Sequence, residues 1–459
     1  MNSRPYRYIA SLSLLSALLL TACSDWENAL TPPDPQTQET PITFSGSVVA
    51  LPGGGTRADG SLVDIQETSL RQTGEPGYSV GIFGCYTGAH KWAELVKLVE
   101  GTPEEEASAV LNDYYTANLF YNQKADVSAP DRGINTLTYS PLRFWPNNRL
   151  NDDETQHEYV TLWAYYPYNP TSSIGQYGIT MHVNRGEGMG RMAFTMNADA
   201  EQQVDFMMSL PVMDCNKDKY PLDSIKVPKD DNEKDTEYYS PTPVPFKFYH
   251  MLSQVRVYAH VDAVDRVVYK EDPDGNIIVD ENGNKVIDKD KSQYWQRDAI
   301  KYELSFNNIM TSTEFYPEYK TNADGIVTTT IKHSKEANTM GYATVSNYKV
   351  NPEWFKSVPG KPVLNEKKMF GENFDRKNIL LMVPQELKDD QVPHIILKIT
   401  DGQLSAQVTV NLLNMDIKWE SGYVYCYAFV DELRPGDDKV QGPESITVVV
   451  DSGQYTDQW

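Results

Sequence analysis

The stretch YVTLWAYY, residues 159–166, decides the fold class of this 459-residue chain. It combines aromatic and β-branched residues in a short apolar run and is followed by Pro167, which cannot continue a central strand. Similar runs occur at residues 78–83 (YSVGIF) and 142–146 (LRFWP), with turn-forming residues between them. Short runs of this composition and spacing are typical of antiparallel β-sandwiches. The sequence therefore predicts an all-β protein, mainly β with minor helix.

The minor helix is predicted within residues 89–115. There Trp92, Leu95, Val96 and Val99 recur at helical spacing and share one face. We expect an amphipathic insertion packed on a sheet.

The length of the chain and one proline-spaced segment predict two domains. A single core usually stops growing at about 250–300 residues, and this chain has 459. Residues 239–245 (YSPTPVP) cannot continue a helix or a central strand. We place the boundary near residue 240, which gives domains at 42–240 and 241–459. The second begins with FKFYHMLSQVRVYAHV (246–261), where the apolar phase changes near residues 251–254 and predicts a bulge or kink.

The N-terminus has the features of an export signal that ends at a lipidated cysteine. Arg4 and Arg7 precede an apolar run at residues 9–20, and Leu20-Thr21-Ala22-Cys23 follows it. The run is shorter than the ~20 residues of a spanning helix. The sequence predicts a signal peptide at 1–22, acylation of Cys23 and a membrane-tethered protein. The alternative is an ordinary secretory signal that precedes a cysteine.

A tether, a strand and a glycine-rich loop follow Cys23. Residues 23–41 are polar and proline-bearing, as in a flexible tether. Residues 42–51 (ITFSGSVVAL) are a strand candidate with Ile42, Phe44, Val48 and Ala50 on one face. The loop PGGGTRADG (52–60) then places a single arginine, Arg57, where an arginine-specific protease could cut. The alternative is a plain glycine-rich turn.

The charge and the cysteines limit the choice of partners. The net charge is −23, and loss of Arg4 and Arg7 with the signal makes it −23 − 2 = −25. Such acidity disfavours nucleic acid as a partner. Beyond Cys23 there are three cysteines, an odd number: Cys85, Cys215 and Cys426. Whether any of them forms a disulfide stays open, and we expect Cys85 and Cys426 to be core residues.

Catalytic and metal-binding motifs are lacking in the sequence. There is no Gly-x-Ser-x-Gly elbow and no phosphate-binding loop, and the seven histidines are scattered. Residues 272–290 contain two Asp/Asn-Gly turns but lack the glycine and glutamate positions of a calcium-binding EF-hand loop. We predict a projecting hairpin with acidic loops, no cofactor, no metal and no enzymatic activity.

Several stretches in order resemble the fimbrillin family, the Mfa-like pilins of type V pili in Bacteroidetes. They are YSVGIF (78–83), NLFYN (118–122), YSPLRFWP (139–146), TLWAYYPY (161–168), VDFMMS (204–209), the Phe-x-Phe-x-His-x-Leu-Ser stretch from Phe246, LLMVPQ (380–385) and WESGYVYCY (419–427). The residues after Cys23 (Ser24-Asp25-Trp26-Glu27) also resemble a surface-export signal of Bacteroidetes lipoproteins.

The resemblance implies two transthyretin-like β-sandwich domains in tandem and a specific mode of assembly. A lipoprotein precursor reaches the cell outer membrane, an arginine-specific protease removes the first strand, and a strand of another pilin subunit fills the groove. Here the cut would fall between Arg57 and Ala58. Residues 445–451 (SITVVVD) would be the donor, with Ile446, Val448 and Val450 on one face. Burial of four to five such side chains contributes on the order of 10 kcal/mol before ordering costs.

The resemblance implies a pilus subunit or an accessory or tip adhesin. Shaft, anchor and tip positions stay open, as does the adhesion ligand. The alternative from another class is a cell-surface carbohydrate-binding lipoprotein that uses exposed aromatic rings as sugar platforms.

Overall fold

The structure is a computed structural model of the whole chain. It describes residues 40–49, 67–69, 79–100, 117–131, 134–146, 157–170, 177–181, 191–227, 236–260, 264–266, 268–288, 290–291, 293–294, 301–324, 326–334, 340–345, 355–356, 363–364, 379–386, 393–400, 405–412, 418–431 and 446–454.

The described part of the chain is built almost entirely of strands. Up to residue 260 they are β1 (Phe44–Val49), β2 (Glu67–Ser69), β3 (Ser79–Gly88), β4 (Phe120–Asp131), β5 (Ile134–Thr138), β6 (Tyr159–Tyr166), β7 (Ile179–Met181), β8 (Met192–Thr195), β9 (Met207–Ser209), β10 (Val212–Cys215), β11 (Leu222–Val227), β12 (Thr236–Pro241), β13 (Val244–His250) and β14 (Ser253–His260). One helix, α1 (Trp92–Glu100), and a 3-10 turn (Ala200–Gln202) interrupt them.

The remaining strands belong to the second half of the chain. They are β15 (Val264–Arg266), β16 (Gln293–Tyr294), β17 (Lys301–Met310), β18 (Ser312–Thr321), β19 (Val327–His333), β20 (Met340–Val345), β21 (Phe355–Lys356), β22 (Val363–Leu364), β23 (Leu380–Met382), β24 (Gln385–Glu386), β25 (His394–Thr400), β26 (Ser405–Asn411), β27 (Lys418–Trp419), β28 (Tyr423–Asp431) and β29 (Ile446–Gln454). The prediction of an all-β fold is confirmed.

Seven strands of the first half form a closed sheet. The pairing runs β6-β3-β4-β5-β1-β13-β9, and β9 pairs again with β6. A ladder that returns to its start leaves no unpaired edge along the path. Inside it lies one apolar cluster, which includes Phe44, Ile82, Leu162 and Phe248.

Burial follows the period of two that a strand imposes. Along β13, Val244, Phe246 and Phe248 are buried, whereas Pro245 and Lys247 between them are exposed. In β6 both faces are covered, because its outer face packs on the second apolar cluster of the protein. That coverage explains why YVTLWAYY is nearly continuous in apolar residues.

The second half forms further sheets that share a core with the first. The orders are β23-β14-β28-β29 and β20-β17-β25-β26, and a third sheet, β19-β18-β8-β7, combines strands of both halves. The second apolar cluster accordingly joins Trp163 and Phe206 of the first half to Phe306, Phe315 and Trp419 of the second.

The strands on either side of Met251 and Leu252 pair in different sheets. A boundary near residue 240 would place all of residues 246–261 in the second domain. In the structure β13 pairs with β1 and β9 of the first sheet, whereas β14 pairs with β28 and β23. The chain therefore changes sheet at Met251 and Leu252. The apolar phase change seen there reflects this crossover, since it is neither a bulge nor a kink within one strand.

The predicted helical face is confirmed for the described residues of α1. Trp92, Leu95 and Val96 are buried in the second apolar cluster. Asp214 caps the helix from another part of the chain, because its Oδ1 accepts a 2.7 Å hydrogen bond from the Trp92 backbone N–H.

The hairpin predicted at residues 272–290 is described continuously as far as residue 288, where most of its side chains are exposed and two turns are tight. Gly275 and Gly283 adopt φ values of +84° and +82°, in the region that favours glycine. Asp272 and Asp280 each accept backbone hydrogen bonds from the turn that follows them. These bonds hold both turns in place.

Candidate strand-exchange site

The first strand, β1, is part of the closed sheet and lies between two strands that are distant from it in sequence. β1 pairs in parallel with β13, from Phe44↔Val244 to Val48↔Phe248. On its other side it pairs antiparallel with β5, from Phe44↔Leu137 to Gly46↔Asn135. If β1 were withdrawn, β5 and β13 would each present an unpaired edge to the same gap.

The apolar face of β1 packs into the core enclosed by the closed sheet. Phe44 is fully buried, and its ring centroid lies 5.5 Å from that of Phe120, 5.4 Å from that of Tyr139 and 5.3 Å from that of Phe246. Ile42 and Val48 join the same cluster, as the sequence predicted, while Val49 packs on the opposite face. Ala50, the fourth residue of the predicted face, lies outside the described residues.

The backbone of residues 40–43 extends the same arrangement. The Ile42 N–H donates to the Arg143 carbonyl at 2.8 Å, and the Trp145 N–H donates to the Thr40 carbonyl at 3.0 Å. The Tyr139 hydroxyl donates to the Ile42 carbonyl at 2.7 Å. The segment that pairs with the rest of the protein therefore covers residues 40–49.

The space under β1 is shallow at one position. A Cβ atom on Gly46 would lie 3.2 Å from Phe248 Cε2 and 3.6 Å from both methyl groups of Leu137. Position 44, by contrast, accommodates a whole phenyl ring. A strand that replaces β1 meets a deep pocket at position 44 and a tight one at position 46.

The residues predicted for lipidation and processing lie outside the described residues. They are Cys23, Arg57 and Ala58. In sequence Arg57 follows β1 and precedes β2, so cleavage there would separate the two strands.

The predicted donor segment is an edge strand. β29 pairs antiparallel with β28 over its whole length, from Asp431↔Ile446 to Tyr423↔Gln454. It stands at the end of the order β23-β14-β28-β29 and has no second neighbour among the strands that the structure describes. Ile446, Val448 and Val450 are thus placed on its backbone, although the direction of their side chains is not described.

The tryptophan motif near the C-terminus clamps the crossover between the sheets. The Trp419 Nε1–H donates to the Tyr427 hydroxyl at 2.8 Å. Gly422, at φ +75°, donates its N–H to the Leu252 carbonyl at 2.9 Å, and Ser421 Oγ donates to the Met251 carbonyl at 2.9 Å. The resemblance to the fimbrillin family pointed to this motif. The sequence did not predict that the motif binds the backbone at Met251 and Leu252.

Two buried glutamines accept hydrogen bonds from backbone groups that are distant in sequence, and Gln203 joins the first half of the chain to the second. Neither was predicted from the sequence. Gln203 accepts a 2.7 Å hydrogen bond from the Leu381 N–H, and Gln385 accepts one of 2.8 Å from the Met310 N–H. A glutamine that is buried and bonded to backbone looks like any surface glutamine in a single sequence.

The metal-binding residue types and the thiols among the described residues bear on the question of catalysis. They contain no group of three or more His, Cys, Asp or Glu side chains that could hold a metal ion, and no helix long and apolar enough to cross a bilayer. Cys85 and Cys215 are buried thiols outside any disulfide, and burial raises the pKa of Cys215 to about 12. Thiols that stay protonated are poor nucleophiles. The side chain of Cys426 is not described.

Exposed aromatic rings bear on the carbohydrate-binding alternative. Tyr121 and Phe144 are more than a third exposed, but the Tyr121 ring also packs edge-to-face on Phe83 with centroids 5.8 Å apart. Most other aromatic side chains in the described ranges lie in the two cores.

Among known proteins, the chain is similar to several solved structures. No family model and no curated protein matches the chain. A candidate cell adhesion protein from Bacteroides uniformis is 13% identical, with 91% of this chain and 99% of that chain covered and a TM-score of 0.40. A fimbrial protein from Bacteroides vulgatus is 14% identical, with 90% and 99% covered and a TM-score of 0.41. A fimbrial assembly protein from Parabacteroides distasonis is 8% identical, with 90% and 100% covered and a TM-score of 0.30.

These structural neighbours are fimbrial and cell adhesion proteins of Bacteroidales, the group to which the fimbrillin resemblance pointed.

Proposed function

We propose that this protein is a subunit of a type V pilus, or an accessory or tip adhesin of one, which assembles by protease-activated strand exchange. The observation that carries the proposal is the place of β1. This strand is one of the seven strands of the closed sheet, and it lies upstream of Arg57 in the chain. Cleavage after Arg57 turns β1 into a separate peptide and leaves two strand edges to be filled.

The energetics favour refilling of that gap. Loss of β1 uncovers the apolar side chains around Phe44 and the backbone groups of β5 and β13 that paired with it. Unpaired backbone and exposed apolar surface on a sheet edge promote pairing with another strand. The donor is residues 446–454 of a second subunit, since β29 pairs with β28 alone among the described strands and has Ile446, Val448 and Val450 at alternate positions.

The N-terminus gives the route to the site of assembly. The signal peptide exports the chain, acylation of Cys23 anchors the precursor at the outer membrane, and the cut releases the subunit from its anchor. An arginine-specific protease is the partner for maturation, other pilin subunits are the partners for assembly, and the mature protein is part of a cell-surface fimbrium.

Treatment of the purified precursor with an arginine-specific protease tests the proposal. We expect loss of residues 1–57, followed by laddered oligomers on a denaturing gel run without boiling. Arg71 is the next arginine after Arg57, so the matched control is the double variant Arg57→Ala/Arg71→Ala, which should stay monomeric. Equal polymerisation of this control and the wild type would refute proteolytic activation.

A further inference from the structure

The edge of β1 that faces β5 is shared by two strands. β5 pairs with Phe44, Ser45 and Gly46, and β2 takes over with the pairs Ser47↔Ser69, Val48↔Thr68 and Val49↔Glu67. β2 also approaches β5, so the two lie one after the other along β1. On the opposite edge β13 runs alongside from Phe44 to Val48. The groove that β1 occupies therefore has three walls, which are β5, β2 and β13.

β5 is too short to cover the second half of this groove. It begins at Ile134, where the chain turns back to β4 through the pair Asp131↔Ile134. Its last pair with β1 is Gly46↔Asn135. Val48 and Val49 are nevertheless buried, at 5% and 3% exposure, and on this edge of β1 it is β2 that pairs with their backbone.

The proposed cut lies between β1 and β2. Residues 67–69 follow Arg57 and would stay with the mature subunit, while β1 leaves. Within the part of the chain that the structure describes, β2 pairs with β1 alone. Cleavage would thus remove the strand with which β2 is paired, and an incoming strand would restore it.

We infer that residues Glu67–Ser69, close to the new N-terminus, form a third wall of the acceptor groove and pair with the donor strand of a second copy of this chain. The inference rests on the proposed function. The pairing uses the backbone of β2, so it holds the donor without selecting its side chains. It also couples donor insertion to the ordering of the mature N-terminus.

Two arginines that bracket β2 allow a matched test. The variant Arg71→Lys can be cut after Arg57 and keeps β2, whereas Arg57→Lys can be cut after Arg71 and loses β2 together with β1. Both variants keep the charge of the wild type, and all other arginines are common to both. The two cut proteins therefore differ at the groove by the presence of residues 58–71.

The probe is a labelled synthetic peptide of residues 446–454, added to each cut protein after β1 has been removed by gel filtration. We expect binding about tenfold tighter when β2 is retained, the size expected for a few backbone hydrogen bonds. We also expect amide exchange at residues 67–69 to slow when the peptide is added. A peptide of residues 40–49 serves as a second probe, since it reproduces β1 itself.

The outcomes separate the inference from the proposed function. Equal affinity of the two cut proteins, or slow exchange at residues 67–69 before any peptide is added, would overturn the role of β2 and leave strand exchange intact. Failure of both peptides to bind either protein would overturn strand exchange, and the role of β2 with it.

Discussion

The ring of Phe44 stacks on the ring of Phe246, with centroids 5.3 Å apart and planes inclined by 25°. The two residues lie on parallel neighbouring strands that are about 200 positions apart in the chain, β1 and β13. One belongs to the segment that processing would remove, and the other to the groove that stays. Substitutions at these two positions therefore separate the contacts that stabilise the precursor from those that stabilise the assembled subunit.

The substitution Phe44→Ala should destabilise the precursor alone. Loss of a buried phenyl ring costs about 3–5 kcal/mol in the free energy of unfolding, and urea denaturation of the uncut protein measures it. In assembled subunits the effect should vanish, because residue 44 is gone. The matched control, Phe246→Ala, should destabilise both forms. Equal destabilisation of assembled subunits by Phe44→Ala would mean that β1 stays in place.

The donor strand should be sensitive to charge on one face. In a peptide of residues 446–454, Val448→Asp or Val450→Asp places a carboxylate in the apolar groove and should weaken binding to the cut protein at least about tenfold. Val449→Asp, on the opposite face of the same peptide, is the control. Fluorescence anisotropy measures the three affinities. Equal losses for all three variants would argue against an alternating, groove-facing strand.

The hydrogen bond between Trp419 and Tyr427 should stabilise the crossover between the sheets. Tyr427→Phe leaves the buried indole N–H without this acceptor and should cost about 1–3 kcal/mol. The exposed control Tyr121→Phe should stay within about 0.5 kcal/mol of the wild type. Urea unfolding of the precursor compares them, and an unchanged midpoint for Tyr427→Phe would show that the bond contributes nothing.

Acid should weaken the contact between β3 and β4. The Ser79 hydroxyl donates a 2.7 Å hydrogen bond to Asp126, and this bond together with Lys124 lowers the pKa of the carboxyl group. Since the folded pKa lies below the unfolded value of about 3.9, the stabilisation is present above pH 4 and is lost as the pH falls through the folded pKa. NMR titration should place the Asp126 pKa higher in Ser79→Ala than in the wild type, and identical pKa values would exclude the hydroxyl as the cause.

The sequence predicted well what depends on local composition. YVTLWAYY is a strand with the predicted bounds, and the Trp92, Leu95 and Val96 face of the helix is buried as expected. These features follow from side-chain type and spacing within one element, and a single sequence contains that information.

The sequence could not predict which strands pair. The parallel pairing of β1 with β13 joins residues 44–48 to residues 244–248, and no local pattern marks such a contact. The crossover at Met251 and Leu252 could be recognised only as a phase change. β2, with the sequence Glu67-Thr68-Ser69, has no apolar alternation that would mark it as a strand, and only its backbone pairing with β1 reveals it.

The N-terminal residue of subunits within assembled polymers tests the central claim most directly. Mass spectrometry of polymers recovered from cells should give Ala58 as the first residue, with Cys23 and the whole of β1 absent. Polymers whose subunits begin at an acylated Cys23 and retain residues 44–49 would contradict strand exchange.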